Sequence, residues 1–451
     1  MKLPSAMPAV SGGVVLARAA STATAPLTSA TNGSSLVSVR DVVSVSAFGK
    51  PEVLRVVKDQ LLFQSENTRL DPDQVLIQVR AFGINPSETY QRAGAYANLP
   101  KLPYTPGRDC AGTVVEIGTE SALASKNEHE QTQQQAASWL YPGARVFTTN
   151  SENGCYASHC IANRKDVFPL PERLTFEQGA GFGVPYYAAW RALVEKGGAQ
   201  NIKPGTSRIY GKASSLLVNG ASGGVGLLVL QMARKLDLGP VLAFTAGSER
   251  GRELLRTQVR KLWGAEALST GADAESTQAA QQGTSTEESK STTGTAPHIF
   301  VTDHTRADLP VDTKFDLILE MQAQANLGSD LRLLAKHGKV VVVGNKGHSE
   351  GSVDARLLMQ SEGSVTGFVG IADPGVRKQA DEELRTVWID HLQPVVDPDK
   401  TFRGLAATEA AHTEIEQRPA GTAGRVVVSL PAEVYGEGQE AAAQRGGPEE
   451  L

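Results

Sequence analysis

Apolar positions along the chain change their period once, and the change divides it. From Val42 to about Phe168, short runs are punctuated by Gly or Pro every few residues. Gln74-Val75-Leu76-Ile77-Gln78-Val79 reads as a strand. So does Gly112-Thr113-Val114-Val115-Glu116-Ile117, which Gly118 ends. A compact β-rich domain is the expectation. From Leu216 the runs become wholly apolar and are spaced by helix-length segments. Leu216-Leu217-Val218, Val241 to Thr245, Ile299-Phe300-Val301, Asp316 to Leu319, Lys339 to Val343 and Val365 to Val369 read as buried parallel strands. Helices are expected from a glycine cluster through Leu236, from about Glu249 to Leu262, and from Leu327 to Lys336. Strands alternating with helices predict an α/β fold with a doubly wound parallel sheet of the Rossmann kind.

Four polar stretches break this pattern: Thr119 to Ser138, Gln200 to Ser214, Gly271 to Pro297, and the tail after Pro431. Each has too little apolar content to offset its ordering entropy, so each is expected to be a disordered loop or tail. The organisation that follows is a terminal segment 1–40, a β-rich domain 41–185 with insertion 119–138, a dinucleotide domain 186–370 with insertion 271–297, a return to the first domain over 371–430, and a tail 431–451. Residues 1–40 are rich in Ala, Ser and Thr, carry Lys2, Arg18 and Arg40, and precede the first acid, Asp41. That composition fits a mitochondrial or other organellar transit segment, or equally an inert extension of a cytoplasmic protein. A net charge of −5 offers no basic surface for nucleic acid or anionic lipid. Three cysteines cannot build a disulfide framework in 451 residues, which points to a reducing compartment. No apolar stretch reaches the ~20 residues of a membrane span.

The chemistry is concentrated in Asn219-Gly220-Ala221-Ser222-Gly223-Gly224-Val225-Gly226, which follows an apolar strand and opens a helix. Glycines there let the backbone approach a pyrophosphate, and the helix start presents free N–H groups to it. The spacing Gly220-x-x-Gly223-x-x-Gly226 departs from the standard fingerprint, but its strand–turn–helix–strand context fits. An NAD enzyme places an acid about 20 residues further on, to hold the ribose hydroxyl. Here the next strand runs into Gly247 and Ser248 instead, with Arg250 and Arg252 close by to supply charge and Glu249 opposing them. The pattern favours NADPH.

Val79-Arg80-Ala81-Phe82-Gly83-Ile84-Asn85-Pro86-Ser87-Glu88-Thr89-Tyr90 and Leu102-Pro103-Tyr104-Thr105-Pro106-Gly107-Arg108-Asp109-Cys110-Ala111-Gly112 resemble the quinone oxidoreductase signatures of the zeta-crystallin family. Gly183-Val184-Pro185-Tyr186, the glycine turn, Glu320-Met321 with Asn326-Leu327, and Val340 to Gly344 extend the resemblance over most of Val42 to Leu430. It implies a GroES-like substrate domain beside the Rossmann domain, reduction of quinones by NADPH, and a homodimer or homotetramer. It also implies cofactor contacts at Tyr90, Ser222, Gly223, Gly224, Val225, Gly247, His304, Asn326, Val343, Gly344, Asn345, Lys346, Phe368, Val369 and Gly370, to which the reading of the glycine turn and the next strand end adds Gly220, Gly226 and Ser248. Asn326 has a second reading, as a helix cap. One departure is Ala188, where the family carries a Thr near the nicotinamide.

Zinc dehydrogenases of the same superfamily draw a histidine ligand from a Gly-His-Glu segment, which here reads Gly107-Arg108-Asp109. A catalytic zinc needs three protein ligands and an open position, and no metal is expected there. Cys155, His159 and Cys160 are the only tempting cluster, and neighbours on a strand point to opposite faces. Without a metal the task is positioning, with Asn85 and Tyr90 as the candidates to hydrogen-bond a quinone oxygen as charge develops. Two alternatives share the resemblance. One is an enone or alkenal reductase of the same fold. The other is a crystallin-like or RNA-binding protein without turnover, although no RNA-recognition motif is present.

Overall fold

A computed structural model describes residues 37–62, 69–119, 138–201, 207–208, 215–269, 297–345, 350–370, 373–397, 400, 402–417 and 423–431. The transit segment, the tail and the two longer insertions lie outside the described residues, apart from their end positions. The stretch Gln200 to Ser214, expected to be a disordered loop, contains a short antiparallel ladder of β8 (Gln200–Asn201) with β9 (Ser207–Arg208). Backbone pairing of this kind needs no apolar side chains, so the composition gave no sign of it.

The first half folds around β3 (Gln74–Gly83), which pairs antiparallel with β4 (Cys110–Ile117), β6 (His159–Asn163) and β17 (Val427–Ser429). Most of β3 is buried because side chains on both of its faces are covered. Beyond β4 lie β5 (Arg145–Thr148) and β7 (Val167–Pro169), and β16 (Phe402–Arg403) extends the other side. β1 (Val39–Val45) and β2 (Leu54–Leu61) form a separate hairpin bridged to this sheet at Val42 and Ala157. A short helix, α1 (Pro86–Ala93), follows β3, with a capping box between Asn85 and Glu88.

The second half is a six-stranded sheet, parallel throughout, in the order β12-β11-β10-β13-β14-β15. These strands are β10 (Leu216–Val218), β11 (Val241–Thr245), β12 (His298–Thr302), β13 (Phe315–Glu320), β14 (Leu334–Val342) and β15 (Ser364–Gly367). The chain starts at the centre with β10, runs outward on one side, then crosses to β13 and runs outward on the other. That reversal places the carboxyl ends of β10 and β13 at the topological switch point, where such sheets bind ligands.

Helices α2 (Gly183–Trp190), α3 (Gly224–Lys235), α4 (Glu249–Trp263), α5 (Ala323–Leu333) and α6 (Ala355–Ser361) accompany the sheet. The helix expected over Leu327 to Lys336 lies earlier, and Leu334 already pairs with Phe315. Leu331, Leu333 and Leu334 satisfy either period; parallel pairing with β13 decides for strand. After β15, α7 (Pro374–Glu383) packs back on α2, where Tyr186 donates to the Ala380 carbonyl at 2.8 Å and Trp388 joins the same core. Only at β16 does the chain rejoin the antiparallel sheet, and α8 (Thr408–Gln417) then leads to β17.

Candidate active site

The glycine turn sits on the switch point. Ala221 N–H donates to the Thr245 carbonyl at 2.8 Å and Gly220 N–H to Thr245 Oγ1 at 3.1 Å, so the turn is stitched to the end of β11. Gly220 has φ +67, the left-handed region that favours glycine. A Cβ on Gly226 would lie 2.4 Å from Ala221 Cα, so the first turn of α3 closes against the loop only because that side chain is absent. Gly223, Gly224 and Val225 are half-exposed at the tip. The N–H groups of the first turn of α3 have no intrahelical acceptor. This is a cradle for a phosphate, and the residues fit a bound dinucleotide.

The C-terminal segment completes it. Gly424 N–H donates to the Ser222 carbonyl at 2.8 Å, and Arg425 Cδ lies 3.3 Å from where a Gly224 Cβ would stand. Arg425 also donates to the Ile84 carbonyl at 2.7 Å and to Asp109 Oδ2 at 3.0 Å. Asp109, fully buried, accepts further bonds from Asn85 Nδ2 at 2.9 Å and from the Val184 N–H at 3.0 Å. Burial pushes its carboxyl up to about 6, against the pull of Arg425. Sequence reasoning did not single out Arg425; the available signal was one arginine set against the apolar run Val426-Val427-Val428.

The other candidates distribute as follows. Gly247 is exposed beyond β11, and Ser248 Oγ accepts the Gly251 N–H at 3.0 Å as the cap of α4. Arg250 pairs with the buried Asp397, while Arg252 and Arg256 both hold Glu249. His304 is exposed after β12. Asn326 lies inside α5 rather than at its cap, which is Gln322, and donates to Glu320 Oε1 at 3.2 Å. Val343, Gly344 and Asn345 are half-exposed past β14, and Lys346 lies outside the described residues. Past β15, the Phe368 ring stacks under the Arg191 guanidinium at 4.6 Å, Val369 is exposed, and Gly370 carries a carbonyl that accepts from Arg191. Tyr90 is half-buried on α1, and burial, then Glu416, raises its hydroxyl above the ordinary tyrosine range. Asn85 is 1% exposed, with one amide N–H committed to Asp109. Ala188 is half-buried on α2.

The residues present do not fit a catalytic zinc. Arg108 is exposed where a zinc dehydrogenase has its histidine, and Asp109 is already taken up by Arg425, Asn85 and Val184. His159 parts from the two cysteines: Cys155 and Cys160 both sit against Cys110, with Cys160 Sγ at 3.5 Å from Cys110 Sγ, while His159 turns to Ser158 Oγ at 3.2 Å. Burial pushes the Cys155 thiol up to about 11 and His159 down to about 4, so these groups are held neutral. Among the described residues, no group of three or more His, Cys, Asp or Glu is arranged to hold a metal. Among them, too, no helix is long and apolar enough to cross a membrane.

Two family models match the chain. The alcohol dehydrogenase GroES-like domain covers residues 71–172, and the zinc-binding dehydrogenase domain covers residues 224–386. Human quinone oxidoreductase is 35% identical over 326 residues, spanning 72% of this chain and 78% of that protein. The quinone oxidoreductase of Lama guanicoe is 32% identical over 398 residues, spanning 86% of this chain and 97% of that one. Among solved structures, the quinone oxidoreductase of Thermus thermophilus superposes with a TM-score of 0.59 at 21% identity, over 86% of this chain and 100% of that one. The fold and site therefore define a medium-chain dehydrogenase/reductase: a GroES-like domain joined to a Rossmann domain with its glycine turn at the switch point. Within that superfamily the chain belongs to the quinone oxidoreductase, or zeta-crystallin, family.

Proposed function

We propose that this protein reduces quinones with NADPH and uses no zinc. The observation that carries the reading is the end of β11 in a member of this family: an exposed Gly247, with no acid free to meet a ribose hydroxyl among the described residues there. Glu249, the nearest acid, is held by Arg252 and Arg256. Helix α4 carries five basic side chains against two acidic ones, so its surface favours a 2′-phosphate. Arg250 and Arg252 contribute through that field, since both already have carboxylate partners.

NADPH, when bound, supplies the hydride. The chain's own residues position and stabilise. The glycine turn holds the pyrophosphate, and Gly424 and Arg425 close against it from the GroES-like side. The Tyr90 hydroxyl, raised above its ordinary range, stays protonated and donates to a quinone oxygen as negative charge develops. Asn85, buried and bonded to Asp109, positions the start of α1 and hence Tyr90. Assembly would use β15, the outer strand of the parallel sheet; sedimentation should then show a dimer or tetramer.

The test is NADPH consumption by purified protein with ortho-naphthoquinone or phenanthrenequinone, followed by absorbance, with NADH, an alkenal and a chelator as parallel arms. Quinone-dependent oxidation that prefers NADPH and ignores the chelator is expected. Turnover of the alkenal alone would reassign the protein to the enone reductases. NADPH binding without turnover of either would show that it has lost catalysis.

A further inference from the structure

Beneath the glycine turn lies a buried polar cluster that the mechanism does not use. Asn219, the residue before Gly220, donates from one amide nitrogen to two carboxylates, Glu320 Oε2 at 2.6 Å and Asp330 Oδ1 at 2.9 Å. Its amide oxygen accepts from Arg306 Nη2 at 3.0 Å, and that same nitrogen reaches Asp330 Oδ1 at 2.6 Å. Glu320 and Asp330 have no exposed surface, Asn219 has 1% and Arg306 has 7%. Arg306 holds this position in a left-handed backbone, φ +58, which a non-glycine residue adopts only when its surroundings fix it.

The charge does not balance if every group is ionised. Two carboxylates and one guanidinium would leave a net negative charge in a buried site, where like charges repel strongly. One proton retained by the acid pair makes the cluster neutral. Burial, with the Glu320 carboxyl alongside, pushes Asp330 up to about 8. Asp330 Oδ2 has no hydrogen-bond partner, which leaves an ionised carboxylate there poorly stabilised. Other charges near α5 point elsewhere. Asp303 caps the Thr305 and Arg306 N–H groups, Asp308 accepts from Thr302, Lys336 and His337 pair with Glu362, Lys339 donates to the Lys196 carbonyl, and Arg356 is exposed.

We propose that Glu320, Asp330 and Arg306 form a proton-holding clamp that positions the glycine turn through Asn219, so that the dinucleotide is held tightly only while the acid pair keeps its proton. None of the three need touch the cofactor; they are positioning residues for it. The proposal rests on reading Asn219 to Gly226 as the dinucleotide site. Ionising the pair leaves an unpaired buried charge. Relieving it requires the carboxyls to separate, which releases Asn219 and the turn that follows.

The experiment is a fluorescence titration of the full chain with NADPH between about pH 7 and about pH 9. Wild-type Kd should rise by up to about tenfold per pH unit once the pair ionises. Asp330→Asn keeps the shape of the protonated acid but cannot ionise, and should hold the low-pH affinity across the range. Asp330→Leu removes the clamp and should bind at least about tenfold more weakly at every pH, with its fold checked by circular dichroism. A wild-type affinity that does not change with pH, or an Asp330→Asn protein that weakens as wild type does, overturns the clamp. A wild-type protein that binds no NADPH at any pH overturns the dinucleotide reading itself.

Discussion

At Gly226 the requirement for glycine is geometric. The missing Cβ would meet Ala221 Cα at 2.4 Å and its carbonyl oxygen at 2.6 Å, both backbone atoms that cannot move aside. Gly226→Ala should therefore cost about 1–3 kcal/mol in urea unfolding, and it should weaken NADPH binding in the same protein. Tyr90 makes a different kind of claim. If its hydroxyl donates to the quinone, Tyr90→Phe should lower kcat/KM roughly tenfold, the worth of one hydrogen bond, and leave the affinity for NADPH nearly unchanged. An unaltered kcat/KM would confine Tyr90 to shaping the pocket. The residues of the turn were legible in the sequence because everything that defines them is local: a strand, four glycines and a helix start within one short segment.

At the scale of elements, one buried ion pair ties strands of the antiparallel sheet to α1 and α2. Asp109, at the start of β4, and Arg425, on the approach to β17, are 316 residues apart in sequence and 3.0 Å apart in space. Asp109 also holds Asn85 ahead of α1 and the first turn of α2, so four elements share one carboxylate. Asp109→Ala leaves a buried guanidinium without its partner and should destabilise by about 3–5 kcal/mol in chemical denaturation. Replacing both, as Asp109→Leu with Arg425→Met, should recover much of that loss, because the stranded charge is gone. Elements were read well where period and length agreed, as for β10, β11 and α4. The reading slipped at Leu334, where apolar residues fit a helix equally well and only pairing with Phe315 makes them strand.

Over the whole molecule, buried titrating groups oppose one another. Burial lowers His159 to about 4 and His412 to about 3, so each contributes stability above its unfolded value near 6.5 that is lost as pH falls. Asp109, raised to about 6, and Asp330, raised to about 8, behave oppositely: their contributions are present below the unfolded carboxylate value and are lost as pH rises. Between about pH 4 and about pH 6, the two histidines gain as the two aspartates lose, and the four oppose one another. Above about pH 6.5, of these four groups only Asp330 still acts, and stability should decline as pH rises toward about pH 8. Urea unfolding across this range should show that decline, and Asp330→Asn should remove it. The sequence by itself determined the α/β organisation, the glycine turn and the family, because each is written in local periods, short spacings or long motif matches. Only the tertiary structure decided that Asn85 bonds to Asp109, that Arg425 packs against the glycine turn, and that Asn219, Arg306, Glu320 and Asp330 form one cluster. Those partners come from strand ends and loops far apart in the chain, and no local period records which of them the sheet order will bring together.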